Sequence, residues 1–204
     1  MTVATVAALY VDVENGPYSK IPGVDCWGVE RDARAYEGLY PVVAHPPCGP
    51  YGRFWWRYKG GEGGEECARL AVEDVRRCGG VLEHPAQSNL WPHSREPHPK
   101  RPRPVGDLPL PGAPPDRFGG WTLEVDQVWW GHPCHKRTWL YVVGVSPEQL
   151  PPRPPRWYLE VPTHDIVTKG AARGGRPELP KCLRHLTPPA FAEWLVEVAR
   201  RSQP

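Results

Sequence analysis

The sequence predicts an α/β protein built on a mostly parallel β-sheet. Two apolar runs, Val3 to Val13 and Val42 to Ala44, end abruptly in polar turns, which is typical of strands buried on both faces. A helical pattern from Glu65 to Cys78 follows the second run, and a third short apolar segment, Val81-Leu82, follows that helix. Strand, helix and strand in this order predict a parallel crossover unit.

Composition limits the possible classes of protein. The 204 residues suit one domain over 1–204, with a proline-rich insertion loop at 92–116 and a proline-rich linker at 147–156. With 25 basic and 23 acidic residues, overall charge does not indicate a nucleic-acid binder. A membrane span is not expected, because no apolar run reaches about 18 residues, and a signal peptide is not expected, because the start Met-Thr-Val-Ala lacks a charged region. Six scattered cysteines without a C-x-x-C pair favour reduced thiols in a cytoplasm.

In the N-terminal third, the first predicted strand is followed closely by a second. The turn Asn15-Gly16-Pro17-Tyr18 separates the first run from a second strand at Val24 to Glu30. So few residues lie between them that a helix connecting these strands is nearly absent. Ala33 to Tyr36 is expected to form one helical turn before the strand at Val42.

The central helix has clear end signals. Acidic residues stand in its first turn, Arg76 and Arg77 in its last, and Gly79-Gly80 supply a C-terminal stop. The strand that follows ends in Glu83-His84-Pro85, another polar turn marked by proline. The helix therefore connects two strands that both end in polar turns.

The C-terminal half predicts an edge hairpin and a final helix. Trp121 to Trp130 and Thr138 to Val143 form an expected antiparallel hairpin at one edge of the sheet. Thr187-Pro188-Pro189 precedes a helix from Ala190 to Arg201, with Phe191, Trp194, Leu195 and Val198 on its packing face. The proline-rich stretch from Trp91 to Asp116 looks too polar and too broken for a core and is expected to be a surface loop.

Cys48 and Glu83 are the candidate chemical groups. Cys48 follows Pro46-Pro47 at the end of one strand, where the prolines fix the backbone and Gly49 leaves room for a substrate. Glu83 ends the next strand. Because ligands bind beyond the carboxyl ends of parallel strands, both residues are expected at the same edge of the sheet. The alternative is that Cys48 is a small buried residue in a turn.

These pieces together resemble the DNA cytosine carbon-5 methyltransferases, in particular short members encoded by bacteriophages. Pro46-Pro47-Cys48 resembles the motif that carries the family's nucleophile, and Leu82-Glu83-His84-Pro85 resembles its Glu-Asn-Val or Glu-Asn-Pro motif. The resemblance runs in the family's order along most of the chain. The remaining matching segments are Ala8 to Asp12 with Gly16, Gly28 to Arg34, Gly131-His132-Pro133 with Lys136-Arg137-Thr138, and Arg184 to Pro189.

The resemblance implies a Rossmann-like methyltransferase sheet, reduced in its N-terminal cofactor half, and a transferase acting on a flipped pyrimidine in duplex DNA. Cys48 would attack carbon-6 of the base and Glu83 would stabilise the charge that forms. S-adenosylmethionine is the implied cofactor, and a bacterial host cytoplasm the implied location. The implied substrate contacts are Pro47, Arg53, His84 and Arg137, and the implied cofactor contacts are Asp12, Gly16 and Glu30.

The chain also departs from the family pattern. The glycine-rich turn after the first strand retains only Gly16, His84 replaces the asparagine of the Glu-Asn motif, and no target-recognition domain is present. Two other functions therefore remain open. One is a pyrimidine-modifying enzyme with a different donor, and the other is a non-catalytic DNA-binding or anti-restriction relic of the fold.

Two further kinds of site were weighed. A hydrolase pairing Cys48 with His45 or His84 would need a third orienting group. The spacing of His132, Cys134 and His135 lacks the pairs typical of structural zinc, so no metal ligands are predicted.

Overall fold

The computed structural model describes residues 6–52, 54–59, 63–92, 102–155, 160–165 and 176–202. Six strands form one mixed sheet in the order β2-β1-β3-β4-β6-β5. The strands are β1 Val6–Leu9, β2 Val24–Trp27, β3 Val42–Ala44, β4 Gly80–Pro85, β5 Trp121–Asp126 and β6 Arg137–Val143. The helices are α1 Gly64–Cys78 and α2 Pro189–Arg201. The first four strands pair in parallel, whereas β6 is antiparallel to both β4 and β5.

The strand–helix–strand unit and the edge hairpin are both confirmed. Helix α1 connects β3 to β4, and these two strands are parallel neighbours in the sheet. Strands β5 and β6 form an antiparallel hairpin, with β5 at the outer edge. The α/β class predicted from the apolar runs and the helical pattern is therefore correct.

The sheet is covered on both faces. Alternate residues of β1 point to opposite sides, so Ala7 and Leu9 join the core beneath α1 while Val6 and Ala8 join the core beneath α2. The predicted packing face of α2 is confirmed, because Phe191, Trp194, Leu195 and Val198 are all buried. Burial on both faces explains why these strands are continuous apolar runs.

Glycine is required where α1 ends and β4 begins. Gly79 and Gly80 have φ angles of 74° and 115°, in the region that side chains rarely adopt. A Cβ at Gly80 would lie 2.1 Å from the backbone oxygen of Val42. The pair therefore stops α1 and lets β4 approach β3 closely.

The first two strands are shorter than predicted. Strand β1 ends at Leu9 because Tyr10 has a φ of 61°, which turns the chain away from the sheet. Strand β2 ends at Trp27. The near absence of a helix between them is confirmed, since that connection holds only a 3-10 turn at Tyr18–Lys20.

Most of residues 102–116, the described part of the predicted surface loop 92–116, are exposed, but the segment is anchored to the core. Leu108 is only 1% exposed and joins the core beneath α1. Asp116 accepts hydrogen bonds from Arg76 and from the hydroxyl of Tyr141. One apolar side chain, Leu108, and one paired side chain, Asp116, thus attach this proline-rich segment to the fold.

The proline-rich linker predicted at 147–156 also contacts the rest of the fold in its described part. The backbone oxygens of Pro151 and Pro152 accept hydrogen bonds from the Trp194 indole.

Among the described residues, no helix combines the length and the apolar character needed to cross a bilayer.

Candidate active site

The candidate site lies where β3 and β4 end. Ala44 of β3 pairs with Leu82 of β4, so His45 and Glu83 are the next residues at the same edge of the sheet. His45 Nδ1 lies 3.0 Å from Glu83 Oε2. Three residues beyond His45, Cys48 begins a turn closed by hydrogen bonds from the backbone of Tyr51 and Gly52 to its oxygen. The predicted approach of the two strand ends is therefore realised.

Cys48 and Glu83 line one cavity of about 930 Å³, named here the nucleophile cavity. Tyr18 and His45 also line it, as does Lys136, which lies directly before β6. Its other wall comes from the segment before α2. That wall includes Lys181, Arg184, His185, Leu186 and Thr187.

Glu83 is held by donors on both of its oxygens. Gln127 Nε2 lies 3.0 Å from Oε1, and His45 Nδ1 lies beside Oε2. Gln127 Nε2 also lies 3.0 Å from the hydroxyl oxygen of Thr138. Because Glu83 and Gln127 are buried, these bonds fix the carboxyl group in one orientation.

Glu83 is a carboxylate at neutral pH. Burial opposes its ionisation, but the hydrogen bond and the charge of His45, followed by the charge of Lys136, lower the pKa of Glu83 to about 2. An ionised carboxylate only accepts hydrogen bonds, so His45 donates through Nδ1–H. The site therefore presents a fixed acceptor toward the cavity.

Tyr18 completes a chain of polar contacts behind Glu83. Its hydroxyl lies 2.5 Å from His45 Nε2. Burial, followed by the negative charge of Glu83, raises the pKa of Tyr18 well above its usual value, so Tyr18 stays a phenol beside the His45 ring. The imidazole is thereby held between two partners, one on each ring nitrogen.

The Cys48 thiol is protonated in the resting site. The residue as a whole is exposed, yet desolvation of its thiol and the nearby charge of Glu83 raise the pKa of Cys48. Lys136 acts in the opposite direction. Since the thiolate is the nucleophile, Cys48 has to lose a proton when it reacts.

His84 lies in the core beneath the site and not on the cavity wall. Its ring centroid is 6.3 Å from that of Tyr51 and 6.3 Å from that of Trp91. Burial lowers the pKa of His84 to about 4, although the Glu83 charge and the Pro47 carbonyl act against this. His84 is therefore neutral and supports the turn that carries Cys48, where the sequence predicted a substrate contact.

A second cavity of about 970 Å³, named here the β1–β2 cavity, opens beyond the ends of β1 and β2. Asp12 and Glu30, both predicted cofactor contacts, line it together with Asp32. The two cavities adjoin, because both are lined by Tyr10, Val11, Asp12 and Pro47. A molecule bound in one would thus lie next to a molecule bound in the other.

The turn after β1 explains the single retained glycine. Asp12 Oδ1 accepts hydrogen bonds from the backbone of Glu14 and Asn15. A Cβ at Gly16 would lie 2.2 Å from the backbone oxygen of Asp12, so only glycine closes this turn. Gly16, a predicted cofactor contact, lines the nucleophile cavity instead.

The other predicted substrate contacts are less central. Pro47 lines both cavities. Arg137 pairs with Glu124 across the β5–β6 hairpin and is not among the described residues that line either cavity. Arg53 lies outside the described residues.

Sequence reasoning missed several groups that shape the site. Tyr18, Gln127 and Lys136 were not predicted, and His45 was considered only as a partner of Cys48. His45 directly follows the apolar run Val42 to Ala44 and precedes Cys48 by three residues. This position could have indicated that His45 belongs to the site. No sequence pattern connects Gln127 with Glu83, since they are distant in the chain.

His132 and Cys134 contact each other, with 3.3 Å between Nδ1 and Sγ. In the part of the chain that the structure describes, no three histidine, cysteine or acidic side chains are grouped closely enough to hold a metal ion.

Comparison of the chain with protein-family models, with curated proteins and with solved structures gives no match. The functional argument therefore depends on the geometry of the two adjoining cavities and on the chemistry of the residues that line them.

Proposed function

We propose that this protein is a pyrimidine-modifying transferase of the DNA cytosine carbon-5 methyltransferase type. The observation that carries the proposal is the placement of Cys48 and Glu83 in one cavity that adjoins a second. A transferase needs such an arrangement because acceptor and donor have to meet at one atom. The nucleophile cavity would take the base, and the β1–β2 cavity would take the donor.

Cys48 would activate the base by covalent addition. The Cys48 thiol would first lose its proton to water, since the residue is exposed. Its Sγ would then form a bond to carbon-6 while the electron pair of the carbon-5 to carbon-6 double bond moves toward carbon-5 and the ring nitrogen. Glu83, fixed by His45 and Gln127, would accept an N–H of the base and hold the ring against Cys48. After carbon-5 has taken the transferred group, loss of the carbon-5 proton to water would restore the double bond and expel Sγ as the thiolate.

The polar groups of the β1–β2 cavity fit S-adenosylmethionine. Glu30 and Asp12 offer carboxylates to ribose hydroxyls and to a positively charged sulfonium. A Cβ at Gly28 would lie 2.7 Å from the Val11 backbone oxygen. The two backbone segments that line the cavity there are therefore so close that this position needs glycine. When bound, S-adenosylmethionine supplies an electrophilic methyl group.

The order of the strands supports the same proposal. In a doubly wound sheet of order 3-2-1-4-5-6, ligands bind where the strand order reverses. Here β2 lies on one side of β1 and β3 lies on the other side. The strand order therefore reverses between β1 and β3. Asp12 follows β1 and Cys48 follows β3, which are the positions of ligand contacts in a Rossmann-like sheet. In the described part of the chain, β2 forms the edge that a further strand occupies in that order.

A trapping experiment tests the proposal. Duplex and single-stranded oligonucleotides containing 5-fluorocytosine are incubated with the protein, with and without S-adenosylmethionine, and covalent adducts are measured by mass spectrometry. Fluorine cannot leave carbon-5 as a proton does, so transfer to carbon-5 leaves the Cys48 bond intact. We expect an adduct that needs S-adenosylmethionine and is lost in Cys48→Ala. Cys182→Ala is the matched control, since Cys182 is also an exposed thiol.

A second candidate function keeps the nucleophile cavity and changes the donor. The connection between β1 and β2 holds only a 3-10 turn, which favours a pyrimidine-modifying enzyme with a different one-carbon donor. Isothermal titration separates the two: micromolar or tighter binding of S-adenosylmethionine supports methyl transfer. Without such binding, Cys48 reactivity toward the pyrimidine would indicate another donor, and its absence would indicate a DNA-binding relic.

A further inference from the structure

Three exposed aromatic side chains stand next to the turn that carries Cys48. Phe54, Trp56 and Tyr58 are 41%, 59% and 40% exposed, within a segment of five residues. Large apolar side chains exposed together usually mark a binding surface. We name Phe54, Trp56, Arg57, Tyr58 and Lys59 the aromatic platform.

The aromatic platform is tied directly to the nucleophile's turn. A Cβ at Gly49 would lie 2.2 Å from Tyr58 Cδ2, so the Tyr58 ring packs against the backbone that follows Cys48. Tyr58 also lines the β1–β2 cavity together with Pro47. The aromatic platform therefore borders the β1–β2 cavity and lies beside the turn that carries Cys48.

Trp56 is the most exposed ring of the aromatic platform. It contacts Phe54 at 71° and Trp55 at 89°, with centroids 5.6 and 5.9 Å away. Both of these contacts with described residues are edge-on, so they hold the Trp56 indole in place without covering its face. More than half of Trp56 is thus available to a flat ligand.

The positive charge of the aromatic platform favours a negatively charged ligand. Arg57 and Lys59 are exposed beside the rings, and the Arg57 guanidinium lies 5.7 Å from the Phe54 ring centroid. Aromatic rings interleaved with cations suit a chain of stackable bases joined by phosphates. A paired base in a duplex has both faces covered by its neighbours, whereas an unpaired base offers a face to Trp56.

We propose that the aromatic platform binds an unpaired nucleic-acid strand, in which a base beside the target stacks on Trp56. The proposal rests on the proposed function only for the position of the target base in the nucleophile cavity. It changes the expected substrate from duplex DNA to a single strand or an opened region.

Binding is measured by fluorescence anisotropy with a labelled pyrimidine-rich 12-mer, single-stranded or in a duplex, at fixed salt. We expect the single strand to bind at least about ten-fold more tightly than the duplex, and Trp56→Ala to weaken single-strand binding about ten-fold. Tyr40→Ala is the matched control, because Tyr40 is 48% exposed but precedes β3 at the opposite edge of the sheet. Its affinity should equal that of the original protein.

A change in the ligand tests stacking without altering the protein. An oligonucleotide with abasic sites flanking the target keeps its phosphates but loses the bases that would stack. We expect it to bind the original protein as weakly as the intact strand binds Trp56→Ala. Equal affinity for abasic and intact strands would overturn the proposal and leave only phosphate contacts.

Other outcomes also decide the matter. Equal or tighter binding of the duplex, or no nucleic-acid binding, would overturn the proposal and leave the aromatic platform to a protein partner. A trapped Cys48 adduct combined with unchanged affinity in Trp56→Ala would leave the proposed function standing and refute the aromatic platform. Single-strand binding that depends on Trp56, without any Cys48 adduct, would support the aromatic platform and refute the proposed function.

Discussion

Protonation of His84 should make the folded protein sensitive to mild acid. The pKa of His84 is lowered by burial from 6.5 to about 4. Since the folded state binds this proton less readily than the unfolded chain, the contribution to stability is complete above pH 6.5 and is lost as the pH falls toward 4. The shift corresponds to about 3 kcal/mol of unfolding free energy, with a slope of at most about 1.4 kcal/mol per pH unit.

Urea unfolding followed by tryptophan fluorescence, at intervals between pH 7.5 and 4, measures this slope. In His84→Leu the titrating ring is replaced by an apolar side chain of similar size, so the slope in this range should fall by up to about 1.4 kcal/mol per pH unit. The slope that remains includes the contribution of His132, whose pKa is also lowered by burial. His185→Gln, which removes an exposed imidazole, should keep the original slope. An unchanged slope in His84→Leu would refute the assignment of the acid sensitivity to this buried ring.

Three further predictions concern the sheet and the site. Gly80→Ala should destabilise the protein by about 3 kcal/mol in thermal denaturation, because its Cβ would clash with the Val42 oxygen at a φ of 115°; retention of the melting temperature would contradict this packing. Gln127→Leu removes the donor to Glu83 Oε1 and should cost about 2 kcal/mol in urea unfolding. Glu83→Gln removes the charge that raises the pKa of Cys48, so alkylation of this thiol by iodoacetamide at pH 8 should become about two-fold faster or more; slower alkylation would show that Glu83 does not act on Cys48 by charge.

Local patterns were enough to predict most of the elements. Helix α1 was predicted at Glu65 to Cys78 and is found at Gly64–Cys78, because its apolar stripe and its terminal glycines are both local features. The pairing of β3 with β4 followed from the same logic, since a helix between two strands connects parallel neighbours. Errors occurred where a single residue changed the backbone direction, as Tyr10 does at the end of β1.

Segments without periodicity were harder to interpret. The proline-rich residues 102–116 were expected on the surface, yet Leu108 is buried and Asp116 pairs with Arg76. Composition indicates that such a segment is neither helix nor strand, but it does not indicate which side chain a neighbouring helix will cover. That choice depends on contacts between residues far apart in the sequence.

The sequence by itself determined the α/β class, the strand–helix–strand order and the placement of Cys48 and Glu83 at one sheet edge. These features depend on local periodicity and on the rule that the ends of parallel strands meet. Only the tertiary structure decided the partners of Glu83 and His45, because Gln127 reaches Glu83 and Tyr18 reaches His45 from distant elements. The tertiary structure also shows that His84 lies in the core and not in the cavity. The face of the sheet to which a strand residue points depends on the pairing register of that strand.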